Sequence, residues 1–354
     1  MKILIADKLD EGSLVKLHSA FDLDRAEVVN APAQELGLDR EGGCARNRRF
    51  LAFEQELATA DVLIVRSTTK VNADLLAYAP NLKLVVRAGN GMDNIDRAAC
   101  SARGIEVKNA ADFRAVTEAT VYAIIGLLRQ IPRIHAAMVD GRWEKIMGAE
   151  LAGKTVGIVG YGKIGSSVAK VLSALGANVI FSDVVPKETN GVAIKQVALP
   201  ELLATSDIVS LHCDLTADNK GMINASALDK MKKGALLVNF ARAELVHTDA
   251  VCIAIETGKL GGAHLDVFER EPKEQKAAFD AGRIRALAQR GFNISLSSHI
   301  GNQTKEAQLR IADEVVSIIR NFIDARKLVT ERRPIRLPAT QAAAGQPGRT
   351  QHSG

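Results

Sequence analysis

The stretch "TVGIVGYGKIGSSVAKVLSALGANVIFSD", residues 155–183, decides how the rest of the chain is read. An apolar run ends at Gly160, Gly162 follows Tyr161, and Lys163, Ile164 and Gly165 open a helix-patterned segment. A second apolar run then ends on Asp183. Gly160 permits a tight turn, Gly162 lets the backbone approach a pyrophosphate, and Gly165 lets helix and strand pack closely. The helix start adds free N–H groups and the positive end of its dipole. Asp183 is expected to accept hydrogen bonds from the adenosine ribose hydroxyls and to repel a 2′-phosphate, favouring NAD over NADP. Glycines also serve ordinary turns. Here, however, strand, loop, helix, strand and acid fall in the order that a dinucleotide site requires.

The segments "DIVSLH", "GALLVNF", "GGAHLDV" and "NISLSS" continue this strand series, while "KILIAD", "ADVLIVRS" and "LKLVVRAG" form an earlier one. Strands alternating with helical stretches such as "NADLLAYA" imply parallel sheets covered by helices. The expected class is α/β, with two Rossmann-like or flavodoxin-like parallel-sheet domains and an active-site cleft between them. Residues 118–138, "EATVYAIIGLLRQIPRIHAAM", read as a long connecting helix interrupted near Pro132. The last helix pattern, "TKEAQLRIADEVVSIIRNFIDA", is expected to return to the first unit. This gives a discontinuous substrate-binding domain (1–106 plus 302–330), an NAD-binding domain (107–301) and a disordered tail (331–354) that lacks apolar periodicity. The polar segment 36–50 fits a surface excursion.

The chain has 354 residues, enough for two domains, and a formal charge of +5 that is spread along it. No basic run is long enough to track phosphates, so no nucleic-acid partner is expected. No stretch reaches a membrane span or the apolar core of a signal peptide, so the expectation is a cytoplasmic protein without a membrane partner. Cys44, Cys100, Cys213 and Cys252 are far apart, with no C-x-x-C pair, so neither a metal site nor a disulfide framework is expected.

Three later stretches each end a strand or begin its loop: "LVNFARAELV" with Arg242, "HLDVFEREP" with Asp266 and Glu271, and "LSSHIG" with His299. If their strands continue the sheet begun at residue 155, these side chains converge at its carboxyl edge. Oxidation of an alcohol by hydride transfer needs a proton acceptor, and histidine suits that role at neutral pH. A neighbouring carboxylate orients the ring and stabilises its charged form, and an arginine fork matches a substrate carboxylate. Singly, Arg242 also reads as a surface cation, Glu271 as a loop acid before Pro272, and His299 as a strand-end residue. Together, behind a dinucleotide fingerprint, they favour the catalytic reading. His212 also ends a strand and is placed near the cofactor, whereas His264, inside a strand, is expected to be packed.

These landmarks resemble the D-isomer-specific 2-hydroxyacid dehydrogenases. They run in the family order: "RSTTKV" (66–71), "RAGNGMDNID" (87–96), "GRWE" (141–144), "LAGKTVGIVGYGKIG" (151–165), "LHCDLT" (211–216), "MKKGALLVNFARAELV" (231–246), "LDVFEREP" (265–272) and "HIGNQTKEAQ" (299–308). The first and last look most like the phosphoglycerate branch. The resemblance implies NAD-dependent oxidation of 3-phospho-D-glycerate to 3-phosphooxypyruvate, a step of serine biosynthesis. It assigns catalysis to Arg242, Glu271 and His299. Arg66, Ser67 and Arg87 would face the substrate, with the two arginines reaching its phosphate, and the backbone at Gly89 and Asn90 would hold the carboxylate. Asp266 would lie near the nicotinamide amide. A homodimer through the NAD-binding domains is implied, with Lys145 as a further cation across the contact. Longer members append a serine-sensing domain; about 25 residues follow the last helix pattern here, so a short form without that domain is expected.

The chain departs from the family pattern in places. The segment "NAADFRAVTEAT" (109–120), with Asp112 and Arg114 unusual in it, replaces one that usually carries a glycine-asparagine pair, and Asn90 and Met92 alter the "RAGxGxDN" loop. Asp214 and Ser298 replace prolines, and Ala243 replaces a glycine. None removes a catalytic group, but all bear on the substrate. Reduction of glyoxylate or hydroxypyruvate stays open, as does a corepressor-like or sensory protein that binds NAD without turnover.

Overall fold

Continuous apolar runs such as Val62–Val65 and Ala235–Asn239 are buried along their whole length, as strands covered by helices on both faces must be. The structure, a computed structural model, describes residues 1–22, 27–30, 48–189, 194–272 and 278–331. The expected tail beyond Glu331 and most of the 36–50 excursion lie outside the described residues.

The first sheet contains β1 (Lys2–Ile5), β2 (Glu27–Asn30), β3 (Val62–Val65), β4 (Leu84–Ala88) and β5 (Glu106–Ala110), in the order β2-β1-β3-β4-β5. All its pairings are parallel. Its helices are α1 (Glu11–Asp22), α2 (Arg48–Thr59), α3 (Ala73–Ala77) and α4 (Arg97–Ala102). The chain then leaves this sheet through α5 (Arg114–Leu128) and α6 (Ile131–Val139). Gln130, in the left-handed region at φ 53°, and Pro132 in the first turn of α6 break the expected continuous helix into two.

The second sheet contains β6 (Thr155–Val159), β7 (Asn178–Ser182), β8 (Lys195–Gln196), β9 (Ile208–Leu211), β10 (Ala235–Asn239), β11 (Leu260–Leu265) and β12 (Ile294–Leu296). Its order, β12-β11-β10-β9-β6-β7-β8, reverses between β6 and β9 as in a dinucleotide-binding sheet. The helices α7 (Lys163–Ala174), α8 (Leu199–Thr205), α9 (Ala225–Lys230), α10 (Thr248–Glu256) and α11 (Arg283–Gln289) cover it, and α5 packs on α7, β10 and β11. The last helix, α12 (Lys305–Glu331), returns to pack on α1, β4 and β5. Three edge or outer strands, β2, β5 and β8, were not among those expected. Strand β5 also carries the first sheet past the expected boundary at residue 106, to Ala110.

The chain therefore crosses between sheets twice, at 111–113 and at 297–304. Asp112, in the first crossing, pairs with Arg310, on α12 just after the second. Arg310 Nε donates to Asp112 Oδ1 at 2.8 Å and its Nη2 to Oδ2 at 3.0 Å, while Asp112 Oδ2 also accepts the Ala115 N–H at the start of α5. Burial alone would raise the Asp112 carboxyl; the bonds from Arg310 and the helix start outweigh it and hold the carboxyl below its ordinary range. Asp112 is buried and Arg310 about one-third exposed. Asp112→Ala should therefore lower stability by roughly 1–3 kcal/mol at pH 7, between the values for exposed and buried pairs. A depressed carboxyl stabilises above its unfolded pKa and loses that effect as pH falls through its folded value. In urea titrations the gap between wild type and variant should thus narrow on acidification below about pH 4.

Candidate active site

The glycine loop follows β6, at the point where the strand order reverses. Gly160 has φ +92°, and a Cβ there would lie 2.6 Å from Cys213 N, so the turn tolerates only hydrogen. A Cβ on Gly165 would lie 2.0 Å from Gly160 O, which shows how closely α7 sits on the loop. A Cβ on Gly162, by contrast, would meet nothing within 4 Å. Gly162 is also the N-cap of α7, and no side chain caps that helix. An open cradle with an uncapped helix start fits a pyrophosphate. Lys163 is exposed beside it, and Ile164 reaches the cleft described below. Asp183, at the end of β7, is partly exposed; its Oδ2 accepts the Tyr161 N–H at 2.8 Å and its Oδ1 the Val185 N–H at 3.1 Å. The acid is thus locked to the glycine loop, where an adenosine ribose would lie.

A cleft of about 880 Å³ lies between the two sheets. Arg66, Ser67, Arg87, Gly89, Asn90, Ile164, His212, Arg242, Asp266, Glu271 and His299 all line it. Gly160, Gly162, Lys163, Gly165 and Asp183 lie outside that lining, around the loop. The first-sheet residues are held by two side chains the sequence did not single out. Asp7, buried after β1, accepts the N–H groups of Arg66, Thr68 and Thr69 and the Thr69 hydroxyl. Asn94 Nδ2 donates to Arg66 O at 2.8 Å and to Thr69 O at 2.6 Å, tying the loop after β3 to the loop after β4. The signal for Asp7 was its place at the end of the first strand, where the order β2-β1-β3 reverses. Gly89 has φ +143°, and Arg87 folds back over it so closely that a Cβ would lie 1.6 Å from Nη1. The Gly89 N–H is committed to Ala110 O at 2.7 Å, so a carboxylate here would fall to Asn90 and Arg242 rather than to Gly89.

On the second sheet, His299 Nδ1 lies 2.7 Å from Glu271 Oε2, and Glu271 Oε1 accepts the Phe268 N–H at 3.0 Å. The Glu271 hydrogen bond raises the His299 pKa, against the smaller opposing effect of burial. For Glu271 burial pulls upward, but the His299 bond and charge and the Phe268 N–H bring it below its usual range. His299 has φ 55°, a left-handed conformation uncommon outside glycine. Asp266 supports that conformation. Its Oδ1 accepts the Ser297 hydroxyl at 2.5 Å and the Ile300 N–H at 2.9 Å, its Oδ2 accepts the Gly301 N–H at 3.1 Å, and its carbonyl accepts the His299 N–H at 2.7 Å. Asp266, expected beside the nicotinamide amide, is nearly fully buried and braces the His299 loop. His264 is packed as expected, stacked on Phe240, with burial lowering it to about 4. His212 donates to or accepts from Ser210 Oγ at 2.8 Å, and desolvation lowers it to about 3, so it stands neutral at the cleft wall. Arg242 is paired with Asp93, a contact the sequence did not reveal.

The openness around Gly162 separates two roles of the loop. Gly162→Ala should leave the unliganded protein within about 0.5 kcal/mol of wild type, as for an unobstructed surface position. It should nevertheless weaken NAD binding about tenfold or more, because a pyrophosphate approaching the backbone would meet the new methyl. Gly165→Ala should lose both stability and NAD affinity; thermal unfolding without ligand and a fluorescence titration with NADH check the pair.

Residues 121–301 match the family described as D-isomer specific 2-hydroxyacid dehydrogenase, NAD binding domain. The D-3-phosphoglycerate dehydrogenase of Mycobacterium tuberculosis is 37% identical over 326 residues, covering 90% of this chain and 56% of that protein. The hydroxypyruvate reductase of Thermotoga maritima is 38% identical over 263 residues, covering 73% of this chain and 83% of that one. Among solved structures, the D-lactate dehydrogenase from Aquifex aeolicus, complexed with NAD and lactic acid, superposes with a TM-score of 0.76. That pair is 28% identical, covering 96% of this chain and all of the other. The chain spans little more than half the length of the phosphoglycerate dehydrogenase named here. With the two parallel sheets, the open glycine cradle and these matches, the chain belongs to the D-isomer specific 2-hydroxyacid dehydrogenase family and carries its NAD-binding domain.

Proposed function

We propose that the protein oxidises 3-phospho-D-glycerate to 3-phosphooxypyruvate. The observation that carries this reading is the clustering of three guanidinium groups, Arg66, Arg87 and Arg242, in one cleft with the His299–Glu271 pair. Arg87 is pushed down to about 10, first by burial and then by the positive charges of Arg242 and Arg66. Its Nε is buried without a hydrogen-bond partner among the described residues. Such a cluster suits a substrate with two anionic ends better than a lone monocarboxylate.

Bound NAD supplies the acceptor for the hydride that leaves C2. His299 uses Nδ1 on Glu271, so Nε2 is the atom that exchanges a proton with the C2 hydroxyl. As the hydroxyl becomes a carbonyl, its proton moves to Nε2 and Glu271 stabilises the imidazolium. Arg242 holds the carboxylate, and Arg66 and Arg87 hold the phosphate. Reduction of hydroxypyruvate or glyoxylate is the second reading. It is favoured by the position of Arg66, whose charge is already offset by Asp10 and Asp7. The homodimer belongs to the same proposal: Val139, Trp143 and Met147 are 72, 77 and 91% exposed on and just after α6, an apolar surface that a second copy would cover.

Two measurements test the proposal. Purified protein should form NADH with 3-phosphoglycerate when the product is trapped, and Arg87→Ala or Arg66→Ala should raise KM for that ester about tenfold or more while changing KM for glyoxylate little. Turnover of glyoxylate and hydroxypyruvate alone would move the substrate to the second reading, and NAD binding without turnover would remove the enzyme reading.

The proton acceptor should appear in the pH profile. His299→Ala should lower kcat about 10²–10⁴-fold. In wild type, kcat/KM for oxidation should fall as pH drops through the His299 pKa, because the ring must be neutral to accept a proton. Glu271→Gln removes the main cause that raises that pKa, so the acid limb should move to lower pH. An unmoved limb would exclude the pair as the titrating group.

A further inference from the structure

Arg242 is gripped from across the cleft. It follows β10 of the second sheet, whereas Asp93 and Gly91 belong to the loop after β4 of the first. Arg242 Nε donates to Asp93 Oδ2 at 2.7 Å, Nη2 lies 2.6 Å from the same oxygen, and Nη1 donates to Ala241 O at 2.6 Å. A Cβ on Gly91 would lie 1.6 Å from Nη2, so the guanidinium rests on bare backbone. A guanidinium has five N–H donors. Its hydrogen bonds use the Nε donor and one donor of Nη1, so each terminal nitrogen keeps at least one donor for a carboxylate, which engages two in a bidentate contact. Asp93 also faces Arg87 and offsets the repulsion between Arg87 and Arg242.

We propose that Asp93 is a positioning residue for the substrate carboxylate: it clamps the inner edge of Arg242 across the cleft, so that the terminal edge is presented to a 2-hydroxy or 2-oxo acid. The inference rests on the reading of Arg242 as the carboxylate site. Because the clamp comes from one sheet and the fork from the other, Arg242 is aligned only when the two sheets face each other as they do here. The clamp has a cost that makes it testable by sign. Asp93 is an anion close to where another anion binds, so electrostatics alone would have its removal tighten substrate binding. Positioning has its removal weaken binding.

The test compares wild type, Asp93→Asn, Asp93→Ala, Arg242→Ala and the Asp93→Ala/Arg242→Ala double variant. Kinetics use 3-phosphoglycerate with NAD, and hydroxypyruvate and glyoxylate with NADH; oxalate binding to the NADH-loaded proteins is measured by calorimetry. Asp93→Ala should raise KM about tenfold for each acid, since the carboxylate is common to all three, with kcat changed by less than about threefold. Asp93→Asn, which is isosteric and keeps an acceptor oxygen, should fall between wild type and Asp93→Ala. The double variant should be no worse than Arg242→Ala, because the two residues act through one contact. Unchanged or lowered KM in Asp93→Ala would overturn the proposal and leave Asp93 as a screening charge. If wild type turns over none of the acids, the dehydrogenase reading fails separately, and oxalate decides. Binding that weakens about tenfold in Asp93→Ala upholds the clamp; unchanged or tighter binding, or none in wild type, overturns it.

Discussion

In a parallel sheet every strand delivers its carboxyl end to the same edge, so the loops that carry polar side chains are gathered there. This chain builds two such sheets and crosses between them twice, and the Asp112–Arg310 pair ties the first crossing to the helix that follows the second. The carboxyl edges are thereby turned toward a common cleft. Arg66, Arg87 and Asp93 come from one edge, Arg242, Asp266 and Glu271 from the other, and His299 lies in the second crossing itself. A residue in a crossing takes its place from both units, which is why the loop around His299 carries so many polar restraints.

Those restraints converge on Asp266. Its carboxylate and carbonyl accept four hydrogen bonds from Ser297, His299, Ile300 and Gly301. The ring of His299 is half exposed and its backbone has a positive φ, so neither packing nor intrinsic preference would hold it. Ser298 lies in this segment where a proline is usual in the family, and the loop is instead set by hydrogen bonds from its neighbours to one buried acid. The result is a histidine whose Nδ1 meets Glu271, even though 27 residues separate the two in the chain.

The parts legible in the sequence share one property: they obey local rules. The glycine loop, the long apolar strands and the terminal acids of the second series each follow from backbone geometry within about twenty residues. The edge strands were not legible. Strand β2 is half exposed, β5 is the polar run "EVKNA", and β8 has two residues, so none shows the continuous apolar run of a central strand. Nor were the contacts that cross from one sheet to the other. Arg242 and Asp93 are 149 positions apart, and Arg310 and Asp112 are 198, distances at which spacing carries no information. Asp112 was conspicuous only as a departure from the family pattern; its use as an ion-pair partner needed the fold. Asp266 lines the cleft, but its bonds to the His299 loop depend on register between β11 and β12.

The balance of charge in the cleft follows from these placements. Three guanidinium groups face a small volume, and burial makes Arg66 and Arg87 harder to keep charged. The anions that offset them are used in different ways. Asp7 is buried and spends its oxygens on backbone N–H groups, so it sets the Arg66 loop more than it neutralises it. Glu271 is committed to His299. Asp93 pairs with Arg242 and also acts on Arg87 through its charge, and its side chain is half exposed. An anion that binds at the terminal edge of Arg242 therefore adds to this arrangement without having to displace Asp93. The cationic surplus that remains, concentrated at the half-buried Arg87, is what a second anionic group on the substrate would neutralise.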